Sequence, residues 1–326
     1  MHPALSVIFF TVVSGTGYGL LFLLGLALAS DSGVIGRTEA LIALATGVVF
    51  AGAGLLSSSL HLGQPQRAWR AFSQWRSSWL SREGAVSICG FAPALLLGLM
   101  LWQGQHANLL RMLGAMLALF ALATVFCTAR IYSSLKTIHA WHNGYVLPGY
   151  LLLGLLGGTS WMLLLHALFG TLIPDTPLVV ILCAVSMATA LCGFVCKQMY
   201  WRFIDTTKHP ASIASATGLG HLGSVRGSES PHTEQNYLTH EMGFALARKH
   251  AKRLRTIALI GLGPVPIVAA AATWLLAPEP SMLATVFAGI SVVATTAGLF
   301  VERWLFFAEA RHVVMLYYDA AQPDSG

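Results

Sequence analysis

The sequence predicts an all-α integral membrane protein, with eight transmembrane helices in a bundle and both termini in the cytoplasm. Three observations carry this prediction. Of the 326 residues, 56% are hydrophobic and only 10% are charged, whereas soluble domains carry about 25% charged residues. The apolar residues form eight segments of roughly the 20 residues that a helix needs to cross a bilayer. The basic residues, finally, are concentrated on one side of those segments.

The eight segments are the predicted spans, and each is expected to be helical because lipid offers the backbone no hydrogen-bond partner. They are Leu5–Ser30, Glu39–Leu60, Gly84–Trp102, Leu109–Cys127, Tyr145–Leu172, Leu178–Cys196, Thr256–Leu276 and Leu283–Phe307. No basic region precedes the first segment, so we do not expect it to be a cleavable signal peptide. The chain is predicted to form a single membrane domain over residues 1–326.

The distribution of Lys and Arg predicts the orientation. With eight spans, the termini share a face with the loops that follow spans two, four and six. This face, called the basic face below, holds 17 of the 19 basic residues, and only Arg37 and Arg111 lie opposite. An excess of positive charge marks the cytoplasmic side of a membrane. A docking partner can also select a basic surface, but the split is still 8 to 2 when the longest loop is set aside.

Residues 62–82 of the basic face have the pattern of a helix that lies in the membrane interface. On a helical wheel, one arc holds the aromatic residues Trp69, Phe72, Trp75 and Trp79. Arg67 and Arg70 lie on the other side, and Arg76 is an exception to this pattern. Trp at the level of the headgroups with Arg in water is typical of an interfacial helix.

Residues 197–255 form the longest polar loop, also on the basic face. Its part Tyr237–Arg255 has a helix-like composition and a basic second half, made of Arg248, Lys249, Lys252, Arg253 and Arg255. Such a segment can bind anionic lipid or dock a protein partner, and we favour docking.

A His and an acid flank the interfacial segment. His61 ends span two, and Arg82 and Glu83 open span three. Ionisable groups at the membrane boundary are costly unless they serve a pathway or a pair. A quinone suits them: a neutral His can donate to a quinone carbonyl and relay a proton, and a carboxylate can exchange protons at the mouth of the site. In the alternative, His61 caps span two, and Arg82 and Glu83 form a boundary ion pair.

Other side chains on the basic face are weaker candidates for the same site. Arg82 could orient Glu83 or contact a quinone oxygen. Tyr132 and Trp141 could flank a quinone ring, although aromatic residues at this depth more often belong to the aromatic belt. Glu302 and Arg303, near the end of span eight, fit a buried pair, a proton route or a snorkelling pair, and we expect snorkelling.

Metal chemistry within this chain has little support in the sequence. The five cysteines show no CxxC pair or Cys/His ligand spacing, so we expect neither an iron–sulfur cluster nor molybdenum here. A haem b held by two histidines on facing helices is possible but unassigned. The candidate ligands are His139, His142, His166 and His312.

Three stretches resemble the membrane anchor subunit of the dimethyl sulfoxide reductase family. They are MHPALSVIFFTVVSGTGYG at the start, HLGQPQRAWRAF, and RSSWLSRE, and the resemblance extends over the whole chain. It implies an anchor that holds a molybdopterin catalytic subunit and an iron–sulfur subunit with four clusters of the 4Fe–4S type, and that exchanges electrons with membrane quinone. The family's quinol-site His and acid correspond to His61 and Glu83.

Further stretches resemble one subgroup of that family, the membrane subunit of the quinone-dependent, cytoplasmic-facing sulfite dehydrogenase. They are YWRFIDTT, SATGLGHLGSVR and PHTEQNYLTHEMGFALARKHAKRLR. This resemblance implies a bacterial cytoplasmic (inner) membrane location, with sulfite oxidised on the cytoplasmic side. It leaves open whether the quinone is ubiquinone or menaquinone.

Two alternative functions remain open at this point. One is the anchor of a dimethyl sulfoxide-type reductase that oxidises menaquinol. The other is a multi-span transporter, but transporters usually carry inverted repeats and broken helices, and only Pro264 and Pro266 hint at a break. A nucleic-acid partner is not expected.

Overall fold

The computed structural model describes residues 4–30, 35–59, 64–104, 107–169, 177–207, 211–225, 246–276 and 282–317. Helices dominate these residues because long apolar runs can satisfy their backbone within lipid only by coiling. The α-helices are α1 (Leu5–Ala29), α2 (Arg37–Ser59), α3 (Trp79–Gln103), α4 (Ala107–Ser133), α5 (Val146–Phe169), α6 (Pro177–Thr206), α7 (Ile213–Thr217), α8 (Leu246–Leu262), α9 (Pro264–Leu276) and α10 (Met282–Ala308). Short 3-10 helices cover Pro65–Gln74, Leu219–Leu222 and Val313–Tyr317.

Eight helical segments of the described chain are long and apolar enough to cross a membrane, which confirms the predicted number. Seven of them are α1–α6 and α10, and the eighth is α8 joined to α9. The latter pair is interrupted at Gly263, because Pro264 has no N–H to donate to the preceding turn. Several helices extend beyond their predicted spans, and α6 reaches Thr206 rather than Cys196.

Helix α1 is the centre of the bundle and packs against α2, α4, α5 and α10. Glycines allow the closest approach, which is the usual device for packing helices in a membrane. A Cβ atom on Gly19 would overlap the carbonyl oxygen of Gly154 on α5. Helix α3 packs mainly on α4, while α8 and α9 pack on α10 and α6.

The helix ends that were assigned to the basic face lie together in the structure. Ser57 at the end of α2 donates a 3.0 Å hydrogen bond to the carbonyl of Ser6 at the start of α1. Tyr132 near the end of α4 stacks on Tyr150 near the start of α5. Arg255 of α8 reaches Asp205 near the end of α6. The bundle therefore has the alternating topology that an eight-span chain requires.

The predicted interfacial segment is a 3-10 helix followed by a turn, rather than a continuous helix up to residue 82. It begins at Pro65, and α3 already begins at Trp79. Trp69, Phe72 and Trp75 are exposed, with Trp69 at 67%. Two contacts fix its end: Ser81 donates from its hydroxyl to the carbonyl of Ala71, and Arg82 binds the carbonyls of the turn.

Candidate functional site

Glu83 lies in the first turns of α3, where the helix leaves the exposed 3-10 segment and enters the bundle. Ser78 caps the helix by accepting a bond from the Ser81 amide. Although it lies near the helix start, Glu83 is 3% exposed. Its carboxylate accepts a hydrogen bond from the hydroxyl of Thr128 on α4. A carboxyl group is thus held inside the protein by a neutral donor. It lies at the end of the bundle where the sequence analysis expected Glu83 to take part in a site.

Three further hydroxyl groups surround this carboxyl group. Ser87, one turn further along α3, donates from its hydroxyl to the backbone carbonyl of Glu83 at 2.7 Å. Thr124 of α4 donates within its own helix to the Phe120 carbonyl at 2.8 Å. Tyr18 of α1 lies nearby, and its buried hydroxyl is close to the hydroxyls of Ser87 and Thr124. Glu83 therefore belongs to a polar cluster between α1, α3 and α4.

Arg82 does not share this cluster, although it is adjacent to Glu83 in sequence. Its Nε and Nη2 atoms donate to the carbonyls of Trp75 and Arg76 at 2.9 and 2.5 Å. The guanidinium also lies over the Trp79 ring, 4.2 Å from the centroid. These contacts tie the end of the exposed segment to α3, and none of the described contacts pairs Arg82 with Glu83.

His61 lies outside the described residues. The structure does describe both sides of it: α2 ends at Ser59 and the 3-10 segment begins at Pro65. His61 is thus four residues before the exposed segment whose other end leads to Glu83.

Two cavities lie beside the Glu83 cluster. The smaller one, of about 20 Å³, combines apolar lining residues such as Leu153 and Leu299 with the polar side chains for which it is called the polar cavity below. These are Thr128 and Tyr18 from the cluster and Tyr150 and Arg303 from α5 and α10. An apolar one of about 160 Å³ also begins at Tyr18 and continues between α4 and α5 along Leu122, Leu151 and their neighbours. The site thus combines polar groups with space suited to an apolar molecule.

Tyr132 and Trp141, the candidates for flanking a quinone ring, are both buried. Their rings contact each other, with centroids 5.2 Å apart, and both contact Phe306. The Trp141 indole N–H donates to the Phe306 carbonyl at 3.0 Å. The two rings therefore belong to an aromatic cluster that joins α4 and α5 to α10.

The four histidines considered for haem each have a protein partner on one ring nitrogen. The contacts are His139 Nε2 to Thr207 Oγ1 at 2.8 Å, His142 Nδ1 to the Ser133 carbonyl at 2.7 Å, His166 Nδ1 to Glu39 at 2.7 Å, and the Val314 amide to His312 Nδ1 at 3.1 Å. His166 and Glu39 are each 2% exposed and lie at the end of the bundle opposite Glu83. Sequence analysis did not single out Glu39, because it falls at the first turn of a span, where a boundary acid is ordinary.

Glu302 and Arg303 are not a snorkelling pair, and that expectation was wrong. Glu302 is fully buried and Arg303 is 4% exposed. The Glu302 carboxylate lies between two cations, with Lys197 Nζ of α6 at 2.6 Å from Oε1 and Arg303 Nε at 2.6 Å from Oε2. Mutual pairing compensates part of the cost of removing each charge from water, so these side chains turn inward and do not extend to the interface.

Aromatic rings complete the environment of this triad. Lys197 lies over the ring of Tyr200, 3.8 Å from the centroid. Arg303 lies over the ring of Tyr150 at 3.9 Å. Cation–π contacts of this kind stabilise desolvated cations. Sequence reasoning missed Lys197 as a partner, because α6 and α10 are far apart in the chain and meet only in the fold.

A second ion-pair group closes the basic face. Arg255 of α8 binds Asp205 of α6 through both terminal nitrogens, at 2.6 and 3.0 Å, and its Nε donates to Glu309 at 2.9 Å. Burial raises the pKa of the Glu309 carboxyl above its ordinary value, and the Arg255 guanidinium opposes that shift only in part. One of the five basic residues predicted to dock a partner is therefore engaged within the chain.

Residues 1–308 match the family model of the DMSO reductase anchor subunit (DmsC). The chain belongs to this family. The match spans all the α-helices described above, so the resemblance inferred from the three sequence stretches is confirmed. With its eight apolar helices, the chain is a multi-pass membrane anchor subunit of an oxidoreductase complex.

Individual relatives agree with this assignment. The anchor is 30% identical to a sulfite dehydrogenase subunit of Allochromatium vinosum, over 98% of this chain and 99% of the relative. It is 29% identical to a subunit of the anaerobic dimethyl sulfoxide reductase of Escherichia coli, over 47% of this chain and 58% of the relative. YnfH, another anaerobic dimethyl sulfoxide reductase polypeptide of Escherichia coli, is 32% identical over 33% of this chain and 38% of that relative.

Proposed function

We propose that the anchor binds membrane quinone beside His61 and Glu83 and reduces it with electrons from sulfite oxidation. The electrons reach it from a molybdopterin catalytic subunit through an iron–sulfur subunit with four clusters of the 4Fe–4S type. The observation that carries the proposal is Glu83: a buried carboxyl group, bonded to Thr128, with a polar and an apolar cavity beside it. The sulfite-linked relative supports the substrate, since it matches nearly the full length of both chains.

The residues present suit a quinone. A quinone has an apolar tail and two carbonyl oxygens that accept hydrogen bonds. The buried hydroxyl of Tyr18 belongs to a side chain that lines both cavities and can serve as a donor, and the cavity along α4 and α5 is lined by apolar side chains. When bound, the quinone accepts electrons and protons. Glu83 holds the proton to be transferred, and His61 donates to a carbonyl oxygen. Tyr132 and Trp141 act indirectly, by fixing the helix ends on which the site depends.

Orientation follows from the charge distribution. The basic face carries most Lys and Arg residues, and this excess supports a basic face and both termini on the cytoplasmic side of a bacterial inner membrane. The sulfite-oxidising partners then dock from the cytoplasm. In the described part of residues 197–255, Lys252 and Arg253 of α8 are exposed and are the cations that α8 offers to an acidic partner. A haem b is not required by this route, because electrons can pass from an iron–sulfur cluster to the quinone directly.

A second function is the reverse reaction: an anchor that oxidises menaquinol for a dimethyl sulfoxide-type reductase. The partial matches to the two Escherichia coli proteins favour it. The two functions use the same residues and differ in the partner subunits and in the direction of electron flow.

The test is to purify the complex through a tag on the anchor and to measure sulfite-dependent quinone reduction. The variants are His61→Ala and Glu83→Gln, and Glu39→Gln is the matched control, since Glu39 is an equally buried carboxyl group at the opposite end of the bundle. We expect Glu83→Gln to slow quinone reduction by about 100-fold, the usual contribution of a positioned proton donor, while Glu39→Gln retains the rate. Wild-type rates in His61→Ala and Glu83→Gln would disprove the site. A complex that reduces dimethyl sulfoxide with menaquinol but does not oxidise sulfite would support the second function.

A further inference from the structure

The buried charges of the C-terminal half lie in line with the Glu83 cluster. Thr128, which donates to Glu83, lines the polar cavity of about 20 Å³ together with Tyr150 and Arg303. Arg303 contacts Glu302, and Glu302 contacts Lys197, each at 2.6 Å. Polar groups thus extend from α3 through α4, α5 and α10 to α6, and the cavity beside Thr128 joins the Glu83 cluster to Arg303.

The same line continues to the basic face. Lys197 and Arg255 both lie over the Trp201 ring, 5.1 and 5.5 Å from its centroid, and the ring of Tyr200 lies against Lys197. Glu309 is bound to Arg255, which also binds Asp205. The Asp205 side chain is 56% exposed, so one end of the line reaches solvent while the other ends at Glu83.

Buried polar atoms that lack a well-formed hydrogen bond are concentrated along this line. Within the described residues, they include the hydroxyls of Tyr18, Tyr150 and Tyr200, Nη1 of Arg303 and Oε2 of Glu309, although Tyr18 lies close to Ser87 and Thr124, and Tyr150 lies close to Arg303. Such groups are normally satisfied by internal water. A cavity with polar groups in its wall holds one water molecule when roughly 10–15 Å³ is open to the centre of a water-sized sphere. Tyr18, Tyr150 and Arg303 all line the cavity of about 20 Å³ beside Thr128.

We propose that these residues form a hydrated relay that carries protons between the basic face and Glu83. Asp205 and Glu309 collect protons at the surface, and the Lys197–Glu302 pair passes them inward. Arg303 stays charged and orients water, and the Tyr150 and Thr128 hydroxyls link that water to Glu83. The proposal rests on the proposed function, because Glu83 must exchange protons with a quinone for the relay to serve it.

The relay balances the reaction at the site. Reduction of one quinone to a quinol consumes two electrons, delivered by the iron–sulfur partner, and two protons, which form the two new O–H bonds. A Glu83 that has given up its proton is a carboxylate inside the protein, and it must be reprotonated before the next transfer. A route from the protein interior allows this while the quinone blocks the mouth of the site.

The kinetic test uses variants that remove only a hydroxyl, Tyr150→Phe and Tyr200→Phe, in the intact complex. Tyr145→Phe is the matched control, because Tyr145 immediately precedes α5 and lies outside the line. We expect Tyr150→Phe to lower the single-turnover rate of quinone reduction by roughly tenfold, which is less than the loss of a positioned acid or base, because a water molecule can bridge part of the gap. Its solvent deuterium isotope effect should rise, and the affinity for quinone should stay unchanged.

The outcomes separate the relay from the site that it serves. If Glu83→Gln is slow but both tyrosine variants keep the wild-type rate and isotope effect, the relay is wrong and the quinone site stands. If Glu83→Gln itself has the wild-type rate, the proposed function fails. If Tyr150→Phe weakens quinone binding instead of slowing transfer, Tyr150 lines the quinone site and is not part of a relay.

A second measurement tests hydration without turnover. X-ray radiolysis generates hydroxyl radicals from water bound inside a protein, and mass spectrometry then locates the modified side chains. We expect Tyr18 and Tyr150 to be modified in the wild-type complex despite their burial. Met162, which is fully buried in the core and more easily oxidised, should remain unmodified. Unmodified tyrosines, or equal labelling of Met162, would overturn the hydrated relay.

Discussion

Glu83 of α3 accepts a hydrogen bond from Thr128 of α4, and this contact places the buried carboxyl group between the exposed segment and the polar cavity. The Thr128 hydroxyl also lies 3.0 Å from the Thr124 carbonyl in its own helix. The pairing is long-range, 45 residues apart in the chain, so it forms only when α3 and α4 pack together. This one contact therefore stabilises the packing of α3 against α4 and, in the proposed function, also positions the carboxyl group that transfers a proton.

Replacement of Thr128 by Val removes this donor with little change in volume. We expect the free energy of unfolding to fall by about 1–3 kcal/mol, because the buried carboxyl group loses its partner, and quinone reduction to slow in parallel. Thr189→Val is the control, since Thr189 lies on α6 outside the cluster and its hydroxyl bonds to carbonyls of its own helix. Unfolding in detergent and the rate in the purified complex measure the two effects. Equal losses in both variants would show that the Glu83 contact is not special.

Arg82→Gln tests the anchoring of the exposed 3-10 segment. The guanidinium binds the carbonyls of Trp75 and Arg76, and we expect its loss to free the segment while the eight spans stay folded. Limited proteolysis should then cleave within residues 65–77 faster than in the wild type, with an unchanged melting temperature. Arg70→Gln is the control, because Arg70 is exposed on the same segment. Unaltered cleavage in Arg82→Gln would assign the segment's order to other contacts.

Sequence reasoning reached the fold because spans are local. Each transmembrane helix is predicted from about 20 consecutive, mainly apolar residues, and the uneven distribution of Lys and Arg then predicts which helix ends share a face. It also placed Glu83 near the start of span three, and it offered an ion pair with the adjacent Arg82 as one alternative for this acid. In the structure, Arg82 donates to backbone carbonyls, whereas Glu83 accepts a hydrogen bond from Thr128. The two side chains have different partners because adjacent helical residues point in different directions.

The buried triad of Lys197, Glu302 and Arg303 shows why contacts between distant helices could not be predicted from the sequence. An acid and a base side by side near a helix end are most often boundary residues, so Glu302 and Arg303 favoured snorkelling. What turns them inward is Lys197, which lies on a helix more than 100 residues earlier in the chain. No periodicity within α10 reports a charge on α6, so only the packing of the two helices identifies the partner.

Gly19→Ala tests the closest approach of the central helix to α5. A Cβ at this position would overlap the Gly154 carbonyl oxygen, and backbone cannot yield as a flexible side chain does. We expect a loss of about 1–3 kcal/mol in unfolding free energy, the typical cost of overpacking, and a lower yield of folded protein. Gly15→Ala, one turn earlier on the same helix, has nothing within 4 Å of the new methyl group and should behave as the wild type. Similar stability in both variants would mean that α1 and α5 can separate without cost.

Glu302→Gln tests the charge balance of the triad. The group has one carboxylate and two cations, so it is already positive, and loss of the acid leaves Lys197 and Arg303 buried without their partner. We expect the free energy of unfolding to fall by about 3–5 kcal/mol, as for a broken buried pair. Lys197→Met should cost less, because Arg303 still neutralises Glu302.

A double variant tests whether the charges of Lys197, Glu302 and Arg303 act as one group. Lys197→Met introduced into Glu302→Gln removes one of the two unpaired cations and should recover part of the lost stability. Thermal unfolding of the four proteins in the same detergent measures the coupling, and Lys252→Met, at an exposed position of α8, controls for the loss of a lysine as such. If the losses of the two single variants simply add in the double variant, the three charges do not act as one group, since contacting residues of a network are expected to couple.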